Sequence, residues 1–167
     1  MAASYRVVPL EAERDRAGFA CGVEALDRYF RERVTQDMRR RVASCFVALD
    51  DNDRIAGFYT LAATSVLLAD VPETIAKKLP RYPTVPAIRM GRLAVARTER
   101  GKGLGAALLA DALSRSIVSE VVGFALVVDA KDDVAEEFYR HHGFLRLGGE
   151  PRTLFLPLST ARAAESR

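Results

Sequence analysis

The chain predicts an α/β (α+β) fold, read as a single domain over residues 1–167, and three observations carry that prediction. From Leu26 to Val42 the apolar residues Leu26, Tyr29, Phe30, Val34 and Met38 recur every three or four positions, the period of an amphipathic helix. Gly123 to Asp129 is instead a nearly unbroken apolar run, as expected of a strand covered on both faces. Between them, a strand pattern over Ile88–Val95 passes through a glycine-rich turn into a helical pattern. Strands and helices that alternate in this way make a mixed α/β architecture.

The elements can be placed in order. Tyr5 to Leu10 reads as a first strand, followed by the helix over Leu26–Val42. Cys45–Leu49 and Ile55–Leu68 read as the two arms of a hairpin, because Asp50-Asp51-Asn52-Asp53 supplies turn-forming residues between them. Pro72 to Leu79 fits a short helix with proline in its first turn. Pro80-Arg81-Tyr82-Pro83-Thr84-Val85-Pro86 reads as extended loop, since three prolines oppose both helix and central strand. After the strand to Val95 a helix runs from about Gly105 to Ser119, and Gly123–Asp129 follows as strand. Asp133 and Glu136 offer a capping-box-like start to a helix reaching about His142, which Gly143 ends. Phe144–Leu147 and Thr153–Leu158 read as closing strands.

Bulk composition narrows the function classes. Of 167 residues, 49% are hydrophobic and 28% charged, which excludes a disordered or fibrous chain. Lys plus Arg total 25 against 22 acidic residues, so any nucleic-acid role must come from where charge is concentrated. Cys21 and Cys45 match neither a metal-ligand spacing nor a disulfide framework, and no metal site is expected. Glu11 and Glu13 interrupt the N-terminus before a signal-peptide core could form, and the apolar stretch Gly57–Ala69 is too short to span a bilayer. The expectation is a reduced cytoplasmic protein without a membrane partner.

The chemically informative segment is Leu93-Ala94-Val95-Ala96-Arg97-Thr98-Glu99-Arg100-Gly101-Lys102-Gly103-Leu104-Gly105. A strand enters a turn with three glycines in five residues and then a helix N-terminus. Amide N–H groups there have no intrahelical partner, the helix dipole adds positive potential, and glycine lets a ligand approach the backbone. Such a turn can hold a diphosphate. No Gly-Lys-Ser/Thr follows, so it is not a Walker loop.

Arg100-Gly101-Lys102-Gly103-Leu104-Gly105 resembles the Arg/Gln-x-x-Gly-x-Gly/Ala motif by which GNAT acetyltransferases bind the coenzyme A pyrophosphate. Ala135-Glu136-Glu137-Phe138-Tyr139-Arg140-His141-His142-Gly143-Phe144 resembles the family's second signature. The resemblance implies the GNAT fold: a central mixed, mostly antiparallel sheet with splayed central strands and flanking helices. It implies acetyl-CoA as cosubstrate, held by the backbone of Leu93, Ala94 and Val95 and by Arg100, Gly101, Lys102, Gly103, Leu104, Gly105 and Ala106. It also implies Tyr139 as the general acid that protonates the departing thiolate. A tyrosine hydroxyl, pKa about 10, can donate to a thiolate of pKa about 8.5 when held close to it. Many relatives carry a Glu on the strand before the turn, whereas Ile88-Arg89-Met90-Gly91-Arg92-Leu93 has no carboxylate. That absence points toward an α-amine of pKa about 8 rather than a lysine, with a base from elsewhere in the fold left open.

A narrower resemblance concerns the acceptor. Cys21-Gly22-Val23-Glu24-Ala25-Leu26-Asp27, Gly57-Phe58-Tyr59-Thr60-Leu61, Leu79–Pro86, Gly91–Val95 and Val128-Asp129-Ala130-Lys131-Asp132 are similar to segments of GNAT toxins of bacterial toxin–antitoxin pairs. That subgroup implies acetylation of the α-amine of aminoacyl-tRNA, blocked translation, a ribbon-helix-helix antitoxin and a homodimer. The charge map is compatible: Arg28–Val42 holds six arginines, Arg39 and Arg40 among them, against Glu32 and Asp37. Arg81, Arg89 and Arg92 are further candidates for tRNA phosphates, which basic side chains bind without regard to sequence. A small-molecule amine or a protein N-terminus as acceptor stays open, as does a non-catalytic domain that binds acetyl-CoA for regulation, or a plain RNA-binding module. Cys21 reads as a small buried hydrophobe, and His141 and His142 as cations favoured at a helix C-terminus.

Overall fold

The computed structural model describes residues 4–165, so both extremes of the 1–167 span and the first residues of the signal-peptide reading lie outside the described residues. Seven strands, β1 (Arg6–Pro9), β2 (Ser44–Leu49), β3 (Ile55–Leu67), β4 (Thr84–Val95), β5 (Ala125–Asp129), β6 (Leu145–Arg146) and β7 (Thr153–Pro157), form one sheet. Their order is β1-β2-β3-β4-β5-β7-β6. The described pairings are antiparallel except that of β4 with β5. The helices are α1 (Glu24–Glu32), α2 (Val34–Arg39), α3 (Glu73–Ala76), α4 (Leu104–Val118), α5 (Asp133–His141) and α6 (Leu158–Glu165).

The chain divides into two compact units, Met1–Ala62 with Gly91–Ala112, and Ala63–Met90 with Leu113–Arg167. The first is organised by Phe19, Phe30 and Phe58, all buried, with Phe30 stacked on Phe58 at 4.2 Å between ring centres. Phe19 meets both rings edge-on. The second has its own core of Val66, Val71, Val85, Ala87, Ala125, Val127, Leu147 and Phe155. Residues Ala125 to Val128 of β5 are fully buried, as the continuous apolar run requires.

The hairpin forms as expected. Asp50 Oδ1 accepts the N–H groups of Asn52 at 2.8 Å and Arg54 at 3.0 Å, so the aspartate itself makes the turn.

Four expectations are corrected. The helix expected over Leu26–Val42 begins at Glu24 and is broken at Arg33 (φ −122°, ψ −25°). There Arg16 donates from Nε to the Phe30 carbonyl at 2.8 Å and from Nη2 to that of Arg31 at 3.3 Å. Those are the carbonyls that Val34 and Thr35 would use in a continuous helix. Second, Pro86 lies within β4 rather than in a loop. The described pairing of β4 with β5 begins only at Ile88 and so asks for no N–H at Pro86, whose carbonyl can still accept from Phe124 N at 2.7 Å. Third, α5 is capped by Asp132, whose Oδ1 accepts from Ala135 N at 2.8 Å, while Asp133 is exposed and paired with Arg152. Aspartate one residue earlier aligns with the free amides of the first turn. Fourth, the strand expected from Phe144 shrinks to Leu145–Arg146, and α6 follows β7 with no sequence expectation to match it.

Candidate active site

In the first unit the glycine turn has the geometry its composition suggests. Gly101 (φ 77°) and Gly103 (φ 80°) both adopt left-handed backbone, and a Cβ at either would meet nothing within 4 Å. Two left-handed residues in three fold the amides into a concave nest that opens to solvent. α4 begins at Leu104, one residue before the expected start, and its first described helical bond is Ala107 N to Gly103 O at 3.1 Å. The N–H groups of Leu104, Gly105 and Ala106 therefore precede the first helical donor, Ala107, and lie at the open end of the helix beside the nest. This arrangement fits a diphosphate.

Packing holds the turn in place. Leu104 and Leu108 are buried, and a Cβ on Gly57 of β3 would fall 2.9 Å from both the Ala94 carbonyl and Leu108 Cδ1. Gly57 thus lets strand, turn and helix pack closely. Ala94 is buried, while Leu93 and Val95 are half-buried on the opposite face of β4. The register of β4 with β5 ends at Met90–Val128, although β4 continues to Val95.

The charged side chains of the turn are engaged with protein groups. Arg100 donates to the carbonyl of Cys21. Lys102 Nζ donates to Glu99 Oε2 at 2.8 Å, and the Tyr5 hydroxyl donates to the same oxygen at 2.7 Å. These bonds hold the Glu99 carboxyl below its ordinary pKa, and burial together with Glu99 pushes Tyr5 up to about 12. Arg100 and Lys102 stay exposed while tethered in this way, and the backbone amides of the turn are donors beside them.

A supporting role belongs to Asp27, which composition alone did not single out. Its Oδ1 accepts from Cys21 N at 2.8 Å and its Oδ2 from Gly22 N at 3.3 Å. Burial acts to raise its pKa, but these N–H donors and the charge of Arg31 outweigh it and hold the carboxyl low. Gly22 is left-handed (φ 98°), and a Cβ there would strike Arg97 Nε at 2.8 Å and Arg100 Nη2 at 2.9 Å. The Cys21-Gly22…Leu26-Asp27 motif is therefore a brace for Arg97 and Arg100 at the entry to the glycine turn. Asp27→Ala should lower unfolding free energy by about 1–3 kcal/mol at neutral pH, because the buried Cys21 amide and the partly buried bond from Gly22 lose their acceptor. A carboxyl with lowered pKa stabilises the fold above the unfolded value, about 3.9, so the difference should shrink as pH falls below about 4. Urea unfolding at pH 7 and pH 3.5 checks both.

Cys21 and Cys45 are buried, and burial pushes the Cys45 thiol up to about 12 and raises Cys21 as well. Neither is a nucleophile at neutral pH. Among the described residues no group of His, Cys, Asp and Glu side chains could hold a metal ion, and no described helix is long and apolar enough to cross a membrane.

In the second unit Tyr139 sits on the buried face of α5, 7% exposed, between the rings of Phe138 and Phe144 at 5.3 and 5.4 Å. Gly143 (φ 92°) closes the helix, with Phe144 N bonded back to the Tyr139 carbonyl at 3.1 Å. Burial, and then the charge of Asp129, holds the Tyr139 phenol above its usual pKa. The residue is thus neutral and protonated across the physiological range.

The basic candidates differ in their surroundings. Arg81 is exposed in the loop before β4, and Arg39 and Arg40 are exposed at the end of α2. Arg89 donates to Asp129, whose other oxygen accepts from Thr153 Oγ1 at 2.8 Å. Arg92 stacks its guanidinium 3.5 Å above the centre of the Tyr29 ring. Arg92, Arg39 and Arg40 thus belong to the unit that carries the nest, and Arg81, Arg89 and Tyr139 to the other.

A solvent-facing amide nest between a strand and a helix fits the diphosphate of an acyl-coenzyme A, the cosubstrate of an acyltransferase. Residues 41–146 match the acetyltransferase (GNAT) domain family, and the chain belongs to that family. It is 38% identical over 151 residues, covering 89% of each chain, to the tRNA-acetylating toxin of Mycobacterium tuberculosis. Among solved structures it resembles AtaT complexed with acetyl-methionyl-tRNAfMet, with TM-score 0.87 and 27% identity over 97% of this chain and 99% of that one. It also resembles AtaTR bound with AcCoA, with TM-score 0.80 and 28% identity over 96% and 98% of the two chains.

Proposed function

We propose that the chain, acting as one acetyltransferase domain over residues 1–167, transfers acetyl from acetyl-CoA to the α-amine of aminoacyl-tRNA and so blocks translation. The observation that carries the first half is the paired left-handed glycines, which leave the amides of the Gly101–Ala106 segment free for a diphosphate. The second half rests on likeness to relatives named for acetylating tRNA, together with the exposed cations Arg81, Arg39 and Arg40 and the stacked Arg92.

Acetyl-CoA supplies an activated thioester. The residues of the chain do the rest. Amides of Gly101, Gly103, Leu104, Gly105 and Ala106 receive the diphosphate, and Leu93, Ala94 and Val95 offer backbone groups to the pantetheine arm. The amine nitrogen bonds to the thioester carbonyl carbon as the C–S bond breaks, Tyr139 gives its proton to the leaving sulfur, and the proton shed by the new amide nitrogen passes to solvent, from which Tyr139 is reprotonated. With no carboxylate between Ile88 and Leu93, the acceptor must arrive largely as free amine, which suits an α-amine of pKa about 8 better than a lysine. A cytoplasmic location, a ribbon-helix-helix antitoxin and a homodimer complete the reading.

Incubation with acetyl-CoA and bulk charged tRNA, followed by mass spectrometry of the aminoacyl ends, tests it. N-acetylated aminoacyl ends are expected. Coenzyme A release only with small amines or protein N-termini would move the acceptor, and no release with any amine would leave a regulatory acetyl-CoA-binding domain. Arg89→Ala combined with Arg92→Ala should lower kcat/KM for aminoacyl-tRNA by at least about 100-fold and flatten its salt dependence. Acetyl-CoA affinity, measured by calorimetry, should stay within about twofold of the parent.

A further inference from the structure

Tyr29 is placed to do more than fill a core. It lies on α1, 6% exposed, and its ring carries the Arg92 guanidinium on one face at 3.5 Å. Its hydroxyl donates to Asp37 Oδ2 of α2 at 2.8 Å. Residues eight apart on a continuous helix are separated by about 12 Å along its axis, so this bond depends on the break at Arg33. The break is itself enforced by Arg16, which takes the carbonyls of Phe30 and Arg31. A chain of contacts from Arg16 through the kink to Asp37 and Tyr29 thus fixes the plane of one ring.

What the ring holds is a charge. Arg89 is tied to a carboxylate and Arg100 to a carbonyl, both of which occupy N–H donors. An aromatic face occupies the flat side of a guanidinium and leaves the in-plane N–H groups at its edge free to meet an anion. Arg92 lies two residues past Met90, where the described pairing of β4 with β5 ends, and immediately before Leu93, where the backbone assigned to the coenzyme arm begins.

We propose that Tyr29 is a positioning residue for the acceptor: it presents the Arg92 guanidinium, edge outward, to a phosphodiester at the 3′ end of the incoming aminoacyl-tRNA. The Asp37 bond sets the ring's angle, and the kink between α1 and α2 exists to make that bond possible. Restricting one long side chain before the encounter lowers the entropy lost on binding. The inference rests on aminoacyl-tRNA being the acceptor.

Steady-state kinetics with the full chain, acetyl-CoA and charged tRNA tests it. Tyr29→Leu should raise KM for aminoacyl-tRNA roughly 5- to 30-fold, the range of a desolvated cation–aromatic contact, while KM for acetyl-CoA stays unchanged. Tyr29→Phe, which retains the ring but loses the Asp37 bond, should raise KM by an intermediate amount, less than Tyr29→Leu does. In an Arg92→Ala background, Tyr29→Leu should add nothing further to KM. Arg92→Lys, which retains charge but not the flat stack, should also raise KM severalfold with an unaltered salt slope, and this holds the test open should Tyr29→Leu fail to fold. An equal effect of Tyr29→Leu with or without Arg92, a rise in acetyl-CoA KM, or an Arg92→Lys protein indistinguishable from the parent would overturn the inference. A parent protein that acetylates no charged tRNA would instead remove the functional reading beneath it.

Discussion

Tyr139→Phe should reduce kcat by about 100- to 10,000-fold, the usual range for loss of a positioned general acid. Acetyl-CoA affinity should be unaffected. The ring is buried between Phe138 and Phe144, and phenylalanine preserves both contacts, so the variant should fold and melt close to the parent. That combination separates chemistry from packing. A merely structural Tyr139 would give a variant with near-normal turnover, and the acid would then have to be sought elsewhere. The raised pKa adds a check on the parent enzyme: below pH about 10, the ordinary tyrosine value, no fall in kcat with rising pH should be assignable to Tyr139. The rate should instead climb as the acceptor amine loses its proton.

Gly103→Val should weaken acetyl-CoA binding by about 100-fold or more while leaving the fold intact. At φ 80° a β-branched residue is strained by about 1–3 kcal/mol, and relief of that strain turns the nest amides out of register. Each charge-assisted hydrogen bond lost from the diphosphate costs about 1.5–3 kcal/mol. No protein atom lies within 4 Å of the added Cβ, so the loss belongs to the ligand rather than to packing. Isothermal titration with acetyl-CoA, and circular dichroism on the same sample, would show it. Affinity equal to the parent would mean that the diphosphate is held somewhere other than this turn.

The contrast between Gly103 and Gly22 shows where the sequence was legible. Gly101-Lys102-Gly103 lies between a strand and a helix, and a local turn of that kind is set by backbone sterics within a few residues. Its left-handed geometry could therefore be anticipated from composition and spacing. The same holds for the Asp50 turn, for the buried run of β5, and for Tyr139 followed by Gly143 at a helix end. Gly22 and Asp27 could be recognised only as part of a motif. The bonds from Cys21 N and Gly22 N to Asp27 are local, but the need for glycine comes from Arg97 and Arg100, whose side chains reach Gly22 from some 75 positions downstream.

The sequence by itself determined the glycine turn between a strand and a helix, and the helix that carries Tyr139 and ends at Gly143, because each depends on hydrophobic period, glycine conformation or capping over short spans. Only the tertiary structure decided that the basic helix breaks at Arg33, that Pro86 enters a strand, and that Arg89 and Arg92, three residues apart, meet a carboxylate and an aromatic ring. Those outcomes turn on which distant carbonyl, carboxylate or ring face each side chain reaches. Pairings of that kind are set by the approach of elements far apart in the chain, which no local pattern encodes.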